Sequence, residues 1–200
     1  HAGLPKGHMG RIGLAVTPAA SQLVYATIEA ADDDEGGFYR STTRGRPRER
    51  RNEYLSGGTG PHYYQELFAS PTDADRVYQV DVFLHATSDG GATFQRVETG
   101  TNKHSDNHVV WIDPDDGRHL IVGCVAGVCE TFDEGVAWRH VSNLPISQFS
   151  RVAVDNSVPF TNVLGGAQDL GTLRGPTRTL HGDGVRNQDW MVVLGSDGYQ

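Results

Sequence analysis

One phrase recurs along this chain, and a recurring phrase restricts the fold more tightly than composition does. A short apolar stretch ends in proline three times, at Leu14-Ala15-Val16-Thr17-Pro18, Leu67-Phe68-Ala69-Ser70-Pro71 and Val110-Trp111-Ile112-Asp113-Pro114. Six residues after each proline an apolar residue opens a second stretch, at Val24, Val77 and Leu120. A fourth copy, Val152-Ala153-Val154-Asp155-Asn156, lacks the proline and is followed by Asn162-Val163-Leu164-Gly165. The prolines stand 53 and 43 residues apart, near the ~40–45 residues of a four-stranded propeller blade.

A second marker runs in phase with the first. Thr87-Ser88-Asp89-Gly90-Gly91-Ala92-Thr93-Phe94 fits Ser/Thr-x-Asp-x-Gly-x-Thr/Ser-Trp/Phe, and Thr131 to Trp138 fits it again 44 residues later, with Ala137 as the departure. An eroded copy, Ser41-Thr42-Thr43-Arg44-Gly45, lies 46 residues before the first and has Thr43 in place of the aspartate. The octapeptide reads as a turn. Its aspartate accepts nearby backbone amides, and its glycine takes a conformation closed to residues with side chains. Its terminal aromatic is expected to plug against its own blade. Asp89 and Asp133 are therefore expected to be structural rather than catalytic.

Alternation and β-branched or aromatic enrichment place strands around these markers. The expected fold is all-β: a β-propeller of about four to five four-stranded blades, forming one domain over residues 1–200. The blades fall near 11–56, 65–98, 108–142 and 151–195, the first closing on a strand near Glu53–Leu55. Blade four becomes loop-rich after Gly165 and regains a strand at Trp190–Leu194. Twenty-five glycines suit a fold with many tight turns. The chain begins at His1 and ends on Gly195-Ser196-Asp197-Gly198-Tyr199-Gln200, a stretch that reads like the middle of a hairpin. The expectation is a truncated chain or an incomplete propeller, or one that closes as a small ring or pairs with a second copy.

The net charge of −8 speaks against general nucleic-acid binding. No apolar run approaches the ~18 residues of a membrane helix. Cys124 and Cys129 flank four residues, and either a cross-strand disulfide or two free buried thiols fits that spacing. Asp32-Asp33-Asp34-Glu35 reads as a solvated hairpin tip or a Ca²⁺ loop, and the five arginines between Arg44 and Arg51 as an exposed loop or an anion-binding surface. There is no Gly-x-Ser-x-Gly elbow, phosphate loop or Cys/His zinc pattern.

Propeller chemistry gathers on loops over the central channel, away from the octapeptide turns. The richest candidate is His104-Ser105-Asp106-Asn107-His108. If the segment is extended, His104, Asp106 and His108 project to one side, fit to bind a metal or ligand or to supply a base. A polar loop with backbone-bonded histidines is the alternative. The second candidate is Gly165-Gly166-Ala167-Gln168-Asp169-Leu170-Gly171, with Gln168 as a ligand contact and Asp169 as a carboxylate that Asp197 can join. Two carboxylates on different blades can serve as glycosidase acid and base. With Asp106 they can instead hold Ca²⁺. Tyr64, in His62-Tyr63-Tyr64-Gln65, and Trp190 add aromatic contact surface.

The octapeptides, the Pro-x5-Val-Tyr strands (Pro18 to Tyr25, Pro71 to Tyr78) and Gly3-Leu4-Pro5-Lys6-Gly7-His8-Met9-Gly10-Arg11-Ile12 together resemble bacterial Asp-box (BNR) repeat proteins. These are glycosyl hydrolase-like and related to sortilin-type propellers and two-propeller xyloglucan-degrading hydrolases. The resemblance covers essentially the whole chain. It implies a hydrolase acting on a glycoside, with a small molecule or glycan as ligand and an extracytoplasmic location, and the loop residues Asp169, His108, Asp106 and Asp197 are the expected catalytic groups. The arginine triad and tyrosine nucleophile of sialidases do not map onto this sequence. Two other readings share the same residues: a Ca²⁺-dependent hydrolase of small esters or lactones, and a binding module for glycan or peptide without catalysis.

Overall fold

The computed structural model describes residues 3–54, 65–98, 103–144 and 146–198. The chain divides into two compact units, His1–Ser142 and Asn143–Gln200. Unit 1 holds three four-stranded antiparallel sheets and unit 2 a fourth, each built from four consecutive strands in up-and-down order. The first sheet is β1 (Met9–Val16), β2 (Val24–Ala30), β3 (Gly37–Ser41) and β4 (Glu49–Asn52). The second is β5 (Leu67–Ala69), β6 (Val77–Gln79), β7 (His85–Thr87) and β8 (Gln95–Arg96). The third is β9 (Asn107–Ile112), β10 (Leu120–Cys124), β11 (Gly127–Thr131) and β12 (Arg139–His140). Unit 2 contains β13 (Arg151–Val154), β14 (Asn162–Ala167), β15 (Gly171–Pro176) and β16 (Met191–Leu194). Helix is confined, among the described residues, to the single 3₁₀ turns Pro18–Ala20 and Asn187–Asp189, and no described helix is long and apolar enough to cross a membrane.

Two strands depart from the sequence reading. β4 begins at Glu49 rather than near Glu53, because the fourth strand starts directly after the eighth residue of the turn, as Gln95 and Arg139 do elsewhere. Two of the five arginines are thus in strand: Arg50 Nε donates to Gly36 O within the first sheet at 2.7 Å, and Arg51 Nη2 to Asp89 O in the turn of the second at 3.3 Å. β15 lies in the stretch that reads as loop. Its glycines hide it from pattern analysis, and one is required by packing, since a Cβ on Gly175 would meet the Trp190 ring at 2.3 Å.

All three octapeptide segments adopt one turn. The fourth and fifth residues have φ of 56° and 92° at Arg44-Gly45, 67° and 93° at Gly90-Gly91, and 60° and 97° at Glu134-Gly135. The hydroxyl at position one caps the turn: Thr87 Oγ1 accepts N–H from Asp89 (3.3 Å) and Gly91 (2.9 Å), and Thr131 Oγ1 accepts from Asp133 (3.3 Å) and Gly135 (3.0 Å). Ser41 Oγ does the same for Thr43 (3.3 Å) and Gly45 (2.9 Å). Asp89 Oδ1 then accepts Thr87 Oγ1–H at 2.7 Å, Ala92 N–H at 2.8 Å and Thr93 N–H at 2.9 Å, while Oδ2 accepts the Thr93 hydroxyl at 2.7 Å. Asp133 accepts from Thr131 Oγ1 at 2.7 Å and Ala137 N at 2.9 Å. The eroded copy has Pro47 at position seven, where Thr93 and Ala137 give their N–H groups. An aspartate at 43 would lack that donor.

The two sequence markers touch within each sheet of unit 1. The N–H of turn residue four donates to the loop after the first strand: Arg44 to Gln22 O at 2.8 Å, Gly90 to Asp75 O at 3.0 Å and Glu134 to Arg118 O at 3.0 Å. The turn aromatics pack against core clusters that include their own sheets, as expected, and they also reach the preceding one. Phe94 meets Phe38 edge-on at 5.0 Å, and Trp138 Nε1 donates to Val97 O at 3.0 Å. Apolar cores fill the intervals between sheets. Ala15, Leu23, Tyr25, Phe38, Leu67 and Val77 lie between the first and second, and Tyr78, Val80, Leu84, Ala86, Val110, Leu120 and Val122 between the second and third.

Replacing Asp89 by Ala removes an acceptor of four bonds, and the expected loss is about 2 kcal/mol, read by urea unfolding. Those backbone and hydroxyl donors hold the Asp89 carboxyl down at about 2, against an ordinary 3.8. Because the folded value is the lower one, this stabilisation is complete above pH 3.8 and fades as pH falls towards 2. Melting curves of wild type and Asp89→Asn should therefore converge over that acid range.

Candidate functional site

Up-and-down order puts the first-to-second and third-to-fourth connections at one end of every sheet, the turn end. The second-to-third connections and the links to the next sheet lie at the other, the linker end. The octapeptide turns occupy the turn end. His104, Asp106, His108, Gln168, Asp169 and Asp197 all belong to the linker end of their sheets.

In unit 1 the segment before β9 is not extended, since Asp106 has φ 58°. The alternation that would place His104, Asp106 and His108 on one side is interrupted there. His104 is exposed and its Nδ1 donates to Ser105 O at 3.1 Å. Ser105 Oγ donates to Asp106 Oδ2 at 3.1 Å, and Asp106 N–H donates to Val82 O at 2.7 Å. His108 is exposed on β9. The buried member of the run is Asn107, whose Nδ2 donates to Val82 O at 3.0 Å and Glu98 Oε2 at 3.3 Å.

Beneath this loop lies an ion pair that motif analysis passes over. Lys103 Nζ donates to Glu98 Oε2 at 2.8 Å, to His104 O at 2.9 Å and to Asn107 Oδ1, with side-chain exposures of 0% for Lys103 and 1% for Glu98. Glu98 Oε1 is buried without a hydrogen-bond partner among the described residues. Other polar groups bury at the same end. Tyr54 Oη and His85 Nδ1 are hydrogen-bonded at 2.9 Å, and burial pushes the Tyr54 hydroxyl far above its usual value while lowering His85. Among the described residues, buried Gln79 has no partner for either amide atom, and buried Gln65 bonds Thr27 Oγ1 at 3.2 Å while its Oε1 has none. The available signal was Gln79 itself, a polar residue inside the buried run Val77-Tyr78-Gln79-Val80.

In unit 2 the structure does bring two candidates together. Asp169 N–H donates to Asp197 Oδ1 at 3.0 Å, and both residues are exposed. Asp169 and Ser196 have φ of 59° and 71°, uncommon for residues with side chains. Gly166 and Gly198 hold the two segments close, for a Cβ on Gly166 would meet Gly198 O at 1.7 Å. Gln168 is exposed on the same turn. Trp190 is not part of this group. It precedes β16 at the turn end, stacks on Phe149 at 6.2 Å and covers Gly175. Tyr64 lies outside the described residues, as do His62 and Tyr63. Asp106 belongs to unit 1 and Asp169 and Asp197 to unit 2. Among the described residues no three His, Cys, Asp or Glu side chains gather to hold a metal ion.

A separate charged group marks the turn end of the third sheet. His119 lies between Asp113 Oδ2 (Nδ1, 3.1 Å) and Glu130 Oε1 (Nε2, 3.0 Å), stacked on Phe132 at 4.5 Å. Its hydrogen bonds to Asp113 and Glu130 raise its pKa above 6.5.

No protein-family model matches the chain, and no curated protein matches it. Among solved structures it is similar to the GH74 xyloglucanase from Xanthomonas campestris, at 18% identity and a TM-score of 0.53 over 93% of this chain and 25% of that one. It is also similar to the GH74 enzyme from Niastella koreensis, at 14% identity and a TM-score of 0.52 over 82% of this chain and 28% of that one. The chain spans about a quarter of the length of these two proteins. At such identities the likeness is one of fold: the four sheets are blades of a β-propeller.

Two outcomes are expected. Lys103→Met should destabilise unit 1 by about 3–5 kcal/mol, because Glu98 is left buried and unpaired, and adding Glu98→Leu should recover most of it in urea unfolding. A raised His119 pKa means its stabilisation is complete below pH 6.5 and is lost as pH rises through the folded value. The melting-temperature gap between wild type and His119→Gln should accordingly narrow on passing from acid to alkaline buffer.

Proposed function

We propose that the octapeptide turns are Asp boxes and that the chain forms blades of a glycosidase-like Asp-box propeller, acting on a glycoside through carboxylates at the linker end. The supporting observation is the Asp169–Asp197 pair. Two segments with left-handed backbone at Asp169 and Ser196 are held together by the Asp169 N–H bond to the Asp197 carboxylate and the close Gly166–Gly198 contact. Strained backbone of this kind persists where surrounding structure enforces it, and it is concentrated at working sites. Glycoside hydrolysis needs a carboxylic acid to protonate the leaving oxygen and a second carboxylate to act as base or nucleophile. Asp169 and Asp197 supply that pair, and Gln168 beside them offers an amide to sugar hydroxyls. The fold likeness to GH74 enzymes agrees with this reading.

The test is turnover of aryl glycosides, acyl esters and lactones, each with EDTA or added Ca²⁺. Chelator-insensitive glycoside hydrolysis that falls by about 100-fold or more in Asp197→Asn, at unchanged melting temperature, is the expected result. Ester or lactone turnover abolished by EDTA would replace this reading with a Ca²⁺-dependent hydrolase. Binding of a glycan without turnover of any substrate would make the chain a recognition module.

A further inference from the structure

We propose that Cys124 and Cys129 form a thiol–disulfide exchange site, with Cys124 as the attacking sulfur and Cys129 as the resolving one. The inference does not depend on the glycosidase reading. Both cysteines are free, Cys129 buried and Cys124 half-exposed. β10 and β11 form a hairpin with the two-residue connection Val125-Ala126. Cys124 is opposite Gly127 and Val122 is opposite Cys129, so the two cysteines lie on the same face as diagonal neighbours.

Diagonal Cα atoms stand about 7–8 Å apart with their side chains closer, and a disulfide spans Cα separations up to about 6.8 Å. A small contraction therefore closes the bond. Gly127 places no side chain opposite Cys124, and the pairing of β9 with β10 shifts register between Gly123 and Cys124. The two thiols are close enough that each alters the ionisation of the other.

The surroundings divide the labour. The Cys129 hydrogen bond lowers the Cys124 pKa against the opposing effect of burial, helped by Ala126 N–H and by the charges of Lys103 and His104. Cys129, the buried member of the pair, is raised by its interaction with Cys124 and by burial. A depressed, accessible thiol beside a buried partner is the arrangement of a nucleophile with its resolving cysteine.

The co-reactant is a low-molecular-weight disulfide, R–S–S–R. The Cys124 thiolate attacks one sulfur, forming a mixed disulfide and expelling one thiolate, which takes up a proton. Cys129 then loses its proton, attacks the Cys124 sulfur and expels the second thiolate, which is protonated in turn. The chain loses two hydrogens and two electrons, and R–S–S–R becomes two R–SH.

The experiment incubates the reduced chain with glutathione disulfide near pH ~7, close to the range where activated thiols ionise, and follows intact mass and free thiols. Wild type should lose both thiols and two hydrogens in mass without retaining glutathione. Cys129→Ser should stop with one glutathione on Cys124, and Cys124→Ser should stay unmodified over the same time. A measurement without substitution accompanies these: limited alkylation of wild type, mapped by peptide mass, should label Cys124 ahead of Cys129. Equal labelling of the two thiols, glutathione on Cys129 in Cys124→Ser at the wild-type rate, or wild type stalled as a mixed disulfide would each overturn the proposal.

Discussion

Each blade of unit 1 depends on one backbone hydrogen bond, from the fourth residue of the octapeptide turn to the loop that follows the first strand. Turn and loop fall at the same end of an up-and-down sheet, so the bond forms only when the second and third strands, which lie between them, have matching lengths. Shortening either hairpin by a residue would shift its register and turn every side chain on the strand to the other face. The constraint uses only main-chain atoms, which explains how the first blade keeps the geometry after losing the aspartate at position 43. Ser41 still caps the turn and Arg44 still donates to Gln22. The aspartate strengthens a turn whose shape is fixed by the hydroxyl and the glycine.

With the turn end so committed, polar variation is displaced to the linker end. There Glu98, Lys103, Asn107, Gln65 and Gln79 are buried among apolar neighbours, and half of the ion pair's carboxylate has no partner among the described residues. Burying such groups costs more than their mutual attraction returns unless geometry is good. A scaffold under no other demand would place leucine or valine at these positions. At the turn end the buried polar groups are the small hydroxyls of Thr17, Ser41, Ser70, Thr87 and Thr131, whereas the linker end of unit 1 buries a charged pair and long amides.

The sequence made the repeats legible because their chemistry is local. A hydroxyl, an aspartate and a glycine at fixed offsets dictate a turn wherever they occur, and proline ends a strand in any context. β15 escaped because glycines erase alternation, and β4 was misplaced because arginines carry no facial pattern. The candidate site divided along similar lines. Asp169 and Asp197 could be paired because each stands in a short glycine-flanked turn. The Lys103–Glu98 pair could not, since no spacing or neighbouring residue marks either one as buried. Asp106 shows the opposite failure: alternation was assumed across a residue whose backbone is left-handed.

The turn aromatics give the array a direction. Phe94 reaches the first blade and Trp138 the second, so the second and third blades each carry a plug that the blade before them receives. A ribosome delivers the socket before the plug. The second and third blades thus each meet a surface whose residues have already been made. Units keyed in this way can be appended after existing ones by duplication without redesigning what precedes them, which makes an uneven number of repeats an ordinary evolutionary outcome of the joint itself.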